Sequence, residues 1–193
     1  GHYGSGKTHY LQLAKAIALK SGWVVSFVEF DPKAADPAKP HLVYKHIMTS
    51  LEFPPRDDGS VARGFVGFVK EVRAHWHTKD VRHLPLLLKN PWFHNGLATL
   101  LAHNHDEEDG RYVAGCGWLA GDKQLSSIRG LAKDARVVAK IPTMPASKES
   151  AEIYAYHLAV VNEVLKQLGY KGLLLILDEA EHVRGYNVRR KER

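Results

Sequence analysis

The chain has 193 residues, 45% of them hydrophobic and 25% charged, with a formal net charge of +6. That length supports one domain with a real core, and the composition is that of a soluble globular chain, not a disordered or collagen-like one. No apolar run approaches the roughly 18 residues that cross a bilayer, and the lone Cys116 excludes an internal disulfide and suits a reducing cytosol. The positive charge suits polyanionic partners such as nucleotides and nucleic acids. Part of it lies in Arg184, Arg189, Arg190, Lys191 and Arg193, which read either as a solvated face or as a DNA-binding tail.

The chain opens on Gly1-His2-Tyr3-Gly4-Ser5-Gly6-Lys7-Thr8, which is G-x-x-x-x-G-K-[ST], the phosphate-loop pattern. Glycines allow a tight turn and close backbone approach to a ligand. The amides around residues 4 to 8 are then available to nucleotide phosphates, and Gly1, Tyr3, Gly4, Ser5, Gly6, Lys7, Thr8 and His9 are the expected nucleotide-binding positions. Lys7 is expected to reach the β- and γ-phosphates of ATP, and the Thr8 hydroxyl to bind Mg²⁺. The plain alternative is a glycine-rich turn before a helix. A phosphate loop normally follows a strand, and here no residues precede it. An internal piece of a longer protein is therefore expected, without the strand that mounts the loop.

A helix is predicted over 9–20, where Tyr10, Leu13, Ala14 and Ile17 recur at helical spacing and Ser21-Gly22 ends it. Residues 23–30, Trp-Val-Val-Ser-Phe-Val-Glu-Phe, read as a strand buried on both faces, as in parallel sheets. A Pro- and Ala-rich connection leads to a helix over 41–51, with Val43, Ile47 and Leu51 on one face, ended by Phe53-Pro54-Pro55. From about 56 to 146 no strand alternation is visible. Helices are predicted over 61–77, 81–89, 93–104 and 123–139, as a large helical insertion in the sheet, with an acidic solvated loop at 104–110. Ser147 is the predicted cap of a long helix to Leu168, with Tyr154, Leu158, Val161, Leu165 and Leu168 as its apolar stripe and Gly169 as its stop.

Leu173-Leu174-Leu175-Ile176-Leu177-Asp178-Glu179 is the Walker B pattern, a buried strand that delivers its acidic pair to the crevice at the carboxyl end of the sheet. Asp178 is expected to hold Mg²⁺, mostly through its water shell. Glu179 is expected to orient and deprotonate an attacking water. An acidic helix start after an ordinary buried strand is the plain alternative. Adjacent Asp-Glu points to the division of phosphate-loop ATPases that includes AAA+ proteins. No N-K-x-D guanine motif occurs, and Gln124-Leu125-Ser126-Ser127 does not match the ABC signature L-S-G-G-Q. Recombinase-like ATPases carry the glutamate at the end of the next strand, which would nominate Glu29. Glu29 ranks below Glu179 because it falls inside its strand run.

Tyr3-Gly4-Ser5-Gly6-Lys7-Thr8-His9, Val25-Ser26-Phe27-Val28-Glu29, His41-Leu42-Val43-Tyr44, Trp118-Leu119-Ala120-Gly121 and Gly169-Tyr170 leading into Leu175 to Glu181 together resemble the BREX-type phage-defence ATP-binding proteins. The stretch 56–115 contributes little to the likeness. The resemblance implies an α/β, AAA+-like phosphate-loop NTPase core, a cytoplasmic place in a multi-gene defence system, and oligomeric or defence-system protein partners. A complete AAA+ module also has a polar sensor strand, an arginine finger and a C-terminal helical lid. The sequence stops at Arg193, so these are expected to be missing, and weak or no turnover follows for the piece in isolation.

Twelve histidines invite a metal reading. His75 and His77, two apart on a helix, point away from each other. His103, His105 and Asp106 could chelate from a loop, but one cysteine rules out the common structural zinc sites. Trp76, Trp92 and Trp118 read as core residues or as a nucleic-acid surface. The functional alternatives are an Mg-dependent ATPase, a nucleotide-dependent switch that recruits partners or DNA with negligible turnover, and a small-molecule kinase. No membrane partner is expected.

Overall fold

The computed structural model describes residues 6–31, 35–36, 38–103, 109–122, 125–134, 141 and 150–179. It is a mixed α/β structure, mostly helical, around a small three-stranded sheet. The phosphate-loop residues Gly1 to Ser5, the proposed cap Ser147, the pair His105 and Asp106, and the basic stretch from Arg184 to Arg193 lie outside the described residues. Among the described residues no helix is long and apolar enough to cross a membrane.

In chain order, α1 (Lys7–Lys20) leads into β1 (Val24–Glu29), and α2 (Pro40–Thr49) into β2 (Leu51–Glu52). Then come α3 (Gly64–His75), a 3-10 turn (Val81–His83), α4 (Pro85–Leu88), α5 (Pro91–Ala102), α6 (Gly110–Leu119), α7 (Leu125–Asp134), α8 (Ser150–Leu168) and β3 (Leu173–Asp178). The sheet order is β2-β1-β3. β1 and β3 run parallel in unbroken register from Val24 opposite Leu173 to Glu29 opposite Asp178. Between β2 and α8 every described regular element is helical, apart from an isolated bridge between Glu52 and Arg63.

β1 is buried on both faces, as its β-branched run predicts, with Val24, Val25 and Val28 fully inaccessible. Buried Ser26 donates its hydroxyl to the Ile47 carbonyl at 3.0 Å and lies 2.8 Å from the Ser50 hydroxyl, which pins α2 to the strand. The expectation of a fully buried strand fails for β3. Leu175 and Leu177 are exposed while Ile176 and Asp178 are buried, so only one face of β3 is covered among the described residues.

Several element predictions also need correction. The helix placed over 41–51 ends at Thr49, and Leu51 instead starts β2, an antiparallel partner too short to show alternation. The helix placed over 81–89 divides at Leu84, since the residue before a proline avoids the helical region. α6 was not foreseen. Its three glycines hide helical character, but Asp109 caps it by accepting from the Arg111 amide at 2.8 Å. In α1 the Tyr10, Leu13 and Ile17 stripe is exposed, and the helix rests on the sheet through Leu11, Ala18 and Leu19.

The main core joins one face of the sheet to α2, α3, α5, α6 and α8. The two family-like strings on α2 and at the end of α6 meet here. The Tyr44 hydroxyl donates to the Leu119 carbonyl at 3.1 Å, and Lys45 pairs with Asp122 at 2.5 Å. Gly121, at φ 109, is required at this crossing. A Cβ there would stand 3.0 Å from the Tyr44 ring and 3.1 Å from the His41 carbonyl.

His157 is fully buried on α8 among the rings of Tyr44, Phe93 and Tyr154, at centroid distances of 5.5 to 5.8 Å. Neither ring nitrogen has a hydrogen-bond partner among the described residues. Burial pulls its pKa down to about 3, so it is neutral in the folded chain. The unfolded chain takes up a proton below about pH 6.5 that the folded chain refuses until about pH 3. Stability is therefore lost as pH falls through that window, by up to ~1.4 kcal/mol per pH unit. Urea unfolding of wild type and His157→Phe at pH 7 and pH 5 should show a smaller acid loss in the variant; equal losses would remove His157 as the cause.

Candidate functional site

α1 starts directly after Gly6, whose φ of 70 is left-handed. Residues with a Cβ pay roughly 1–2 kcal/mol for that conformation, which is why glycine stands at this step into the helix. The Tyr10 amide donates to the Gly6 carbonyl at 3.1 Å and closes the first turn. That turn carries Lys7, Thr8 and His9, no acidic residue and no side-chain cap. The positive end of the α1 dipole is thus not opposed by a carboxylate on its own first turn. His9 is exposed, with its ring 6.5 Å edge-on from Tyr10.

The carboxyl end of β3 arrives at the same place. Buried Asp178 has both carboxylate oxygens engaged. Oδ2 accepts from the Thr8 hydroxyl at 3.2 Å, across 170 positions of sequence, and Oδ1 accepts from the Glu179 amide at 2.9 Å. These bonds fix the carboxylate toward the N-terminus of α1. Glu179 has a φ of 55, unusual for a residue other than glycine, so the chain turns sharply out of the strand. A left-handed glutamate stores of order 1 kcal/mol of strain, and such strain gathers at functional positions.

Sequence reasoning placed Glu29 inside its strand run, but β1 ends on it. Glu29 is exposed and lies in register with Asp178, and the Phe30 amide donates to the Asp178 carbonyl at 3.1 Å to hold that register. The signal available in the sequence was the length of the run: a six-residue strand ending at Asp178 pairs with an equal one ending at Glu29.

The residues fit a magnesium–nucleotide pair. A hydroxyl and a carboxylate already in contact, beside a lysine at a helix N-terminus, supply hard oxygen donors and a cation for phosphate. Among the described residues no group of three or more His, Cys, Asp or Glu side chains gathers to hold a metal.

His103 pairs with Asp109 at 3.3 Å. Trp118 is buried, and Trp76 packs half-buried against the core. Cys116 is buried in α6. A cavity of about 850 Å³ opens between α2 and α6 beside the Lys45–Asp122 pair, with Gly117 and Gly121 in its wall.

No curated protein and no solved structure matches the chain significantly. The model of one protein family, described as BREX system ATP-binding protein BrxC/D, matches residues 1–193. With the whole length covered, the chain belongs to the family of BREX system ATP-binding proteins BrxC/D.

Proposed function

We propose that the chain binds ATP with Mg²⁺ at the junction of α1 and β3, hydrolyses it as an AAA+-like phosphate-loop ATPase, and serves a bacterial phage-defence system. The observation that carries the reading is the hydrogen bond between Thr8 and Asp178. Two residues that the motifs assign to one ion lie side by side although the sequence separates them widely.

In this reading the backbone around Gly1, Tyr3, Gly4, Ser5, Gly6 and His9 cradles the phosphates, and the Lys7 ammonium draws in the β- and γ-phosphate oxygens. Thr8 and Asp178 would hold Mg²⁺, which when bound neutralises charge on those oxygens. Glu179 accepts a proton from water as the water oxygen bonds to the γ-phosphorus. The bond from that phosphorus to the bridging oxygen breaks, and ADP leaves with the electron pair. Catalysis is then positioning and charge stabilisation, with no covalent step on the protein. The helical stretch over 56–146 is read as an insertion that meets partner proteins or further subunits.

A second reading is a switch whose nucleotide-bound state recruits a protein partner or DNA with negligible turnover. The strained turn at Glu179, directly after Asp178, favours keeping it in view, since such a turn can report on occupancy of the site.

Lys7→Ala and Asp178→Asn should each weaken MgATP binding by at least tenfold in calorimetric titration while leaving the circular dichroism spectrum unchanged. Unchanged affinity in both would overturn the site. Glu179→Gln should retain MgATP binding and lower phosphate release by about 100-fold or more, the usual scale for a general base. Retained release in that variant would remove Glu179 from the chemistry.

A further inference from the structure

The geometry points to Glu29 as a second carboxylate of the same nucleotide site, a positioning residue that acts on the water shell of the magnesium ion. This rests on the reading that Lys7, Thr8 and Asp178 bind MgATP.

Residues paired in register on parallel strands project to the same face of the sheet, about 5 Å apart. Glu29 is paired in this way with Asp178. On β1, Val25 and Phe27 contribute to the small core against α1, and on β3 Leu174 and Ile176 do so. Glu29 and Asp178 are the next positions of those two rows. Both therefore stand on the α1 face at the carboxyl end of the sheet, where Thr8 reaches Asp178. Asp178 is buried and already held by two donors, whereas Glu29 is exposed. A carboxylate at the mouth of a triphosphate site repels the nucleotide unless a cation lies between them. Magnesium keeps several waters when bound to one or two carboxylates and phosphates, and those waters need acceptors. Glu29 is placed to be one, at the reach of an outer shell.

The consequence has a sign that a structural role would not give. Without magnesium Glu29 only repels ATP; with magnesium it helps retain the ion. ATP titrations of the full chain in EDTA and in excess Mg²⁺ separate the two effects. Glu29→Gln should raise the metal-free affinity about two- to fivefold and reduce the gain on adding Mg²⁺ about fivefold, and Glu29→Asp should restore part of that gain. Mn²⁺ binding to the ATP complex, followed by electron paramagnetic resonance, should weaken in parallel. If Asp178→Asn abolishes the magnesium gain and Glu29→Gln leaves it intact, Glu29 is excluded and the site stands. If neither variant changes it, or if the wild type binds no ATP, the underlying site is wrong and the inference falls with it.

Discussion

The parallel pairing of β1 with β3 is the constraint on which the rest depends. It joins a strand near the start of the chain to one near the end, in register from Val24 and Leu173 to Glu29 and Asp178. Each residue of that ladder satisfies backbone groups that would cost a kilocalorie or more if buried alone. The long helical stretch enclosed between the strands adds little to the cost of closing the loop, because loop entropy grows only as the logarithm of length, about 0.6 kcal/mol per doubling. The chain can thus carry α3 to α7 without giving up the juxtaposition that puts Asp178 beside the first turn of α1.

That juxtaposition brings together local features that lie far apart in the sequence. A helix start after a left-handed glycine is common, and so is an acidic residue after an apolar strand. Brought together, they put the Thr8 hydroxyl against the Asp178 carboxylate, with Glu29 paired in register beside it. Like charges crowded in this way repel, and a divalent cation bridging phosphate and carboxylate relieves the repulsion. The hydrogen bonds to both oxygens of Asp178 hold its carboxylate in place.

The helical layer has its own logic. Tyr44 and Leu119 are joined by a hydrogen bond, Lys45 and Asp122 by an ion pair, and Gly121 lets the two helix ends approach. The family-like strings around Tyr44 and Trp118 are therefore parts of one packing contact, with a structural reason for their composition. Buried His157 belongs to the same layer. Its neutral ring fills space among three aromatic rings, and protonation in acid adds a further cost.

The sequence by itself determined the motifs, the strands of the parallel pair and most helices, because these depend on local spacing: apolar residues at three and four, β-branched runs, glycines and prolines as stops; the family came from the likeness of particular strings. It did not reveal β2 or α6. The first is a two-residue pairing whose stability comes from its neighbour, and the second is a glycine-rich helix held by packing and one aspartate cap. It also misjudged which face of α1 is covered and how deeply β3 is buried, since burial depends on what lies beside an element and not on the element's own residues. The pairing of Glu29 with Asp178 was decided only by tertiary structure. Its distance from Asp178 along the chain carries no trace of their pairing, and strand register, which fixes the facing of every side chain at once, exists only when the two strands meet.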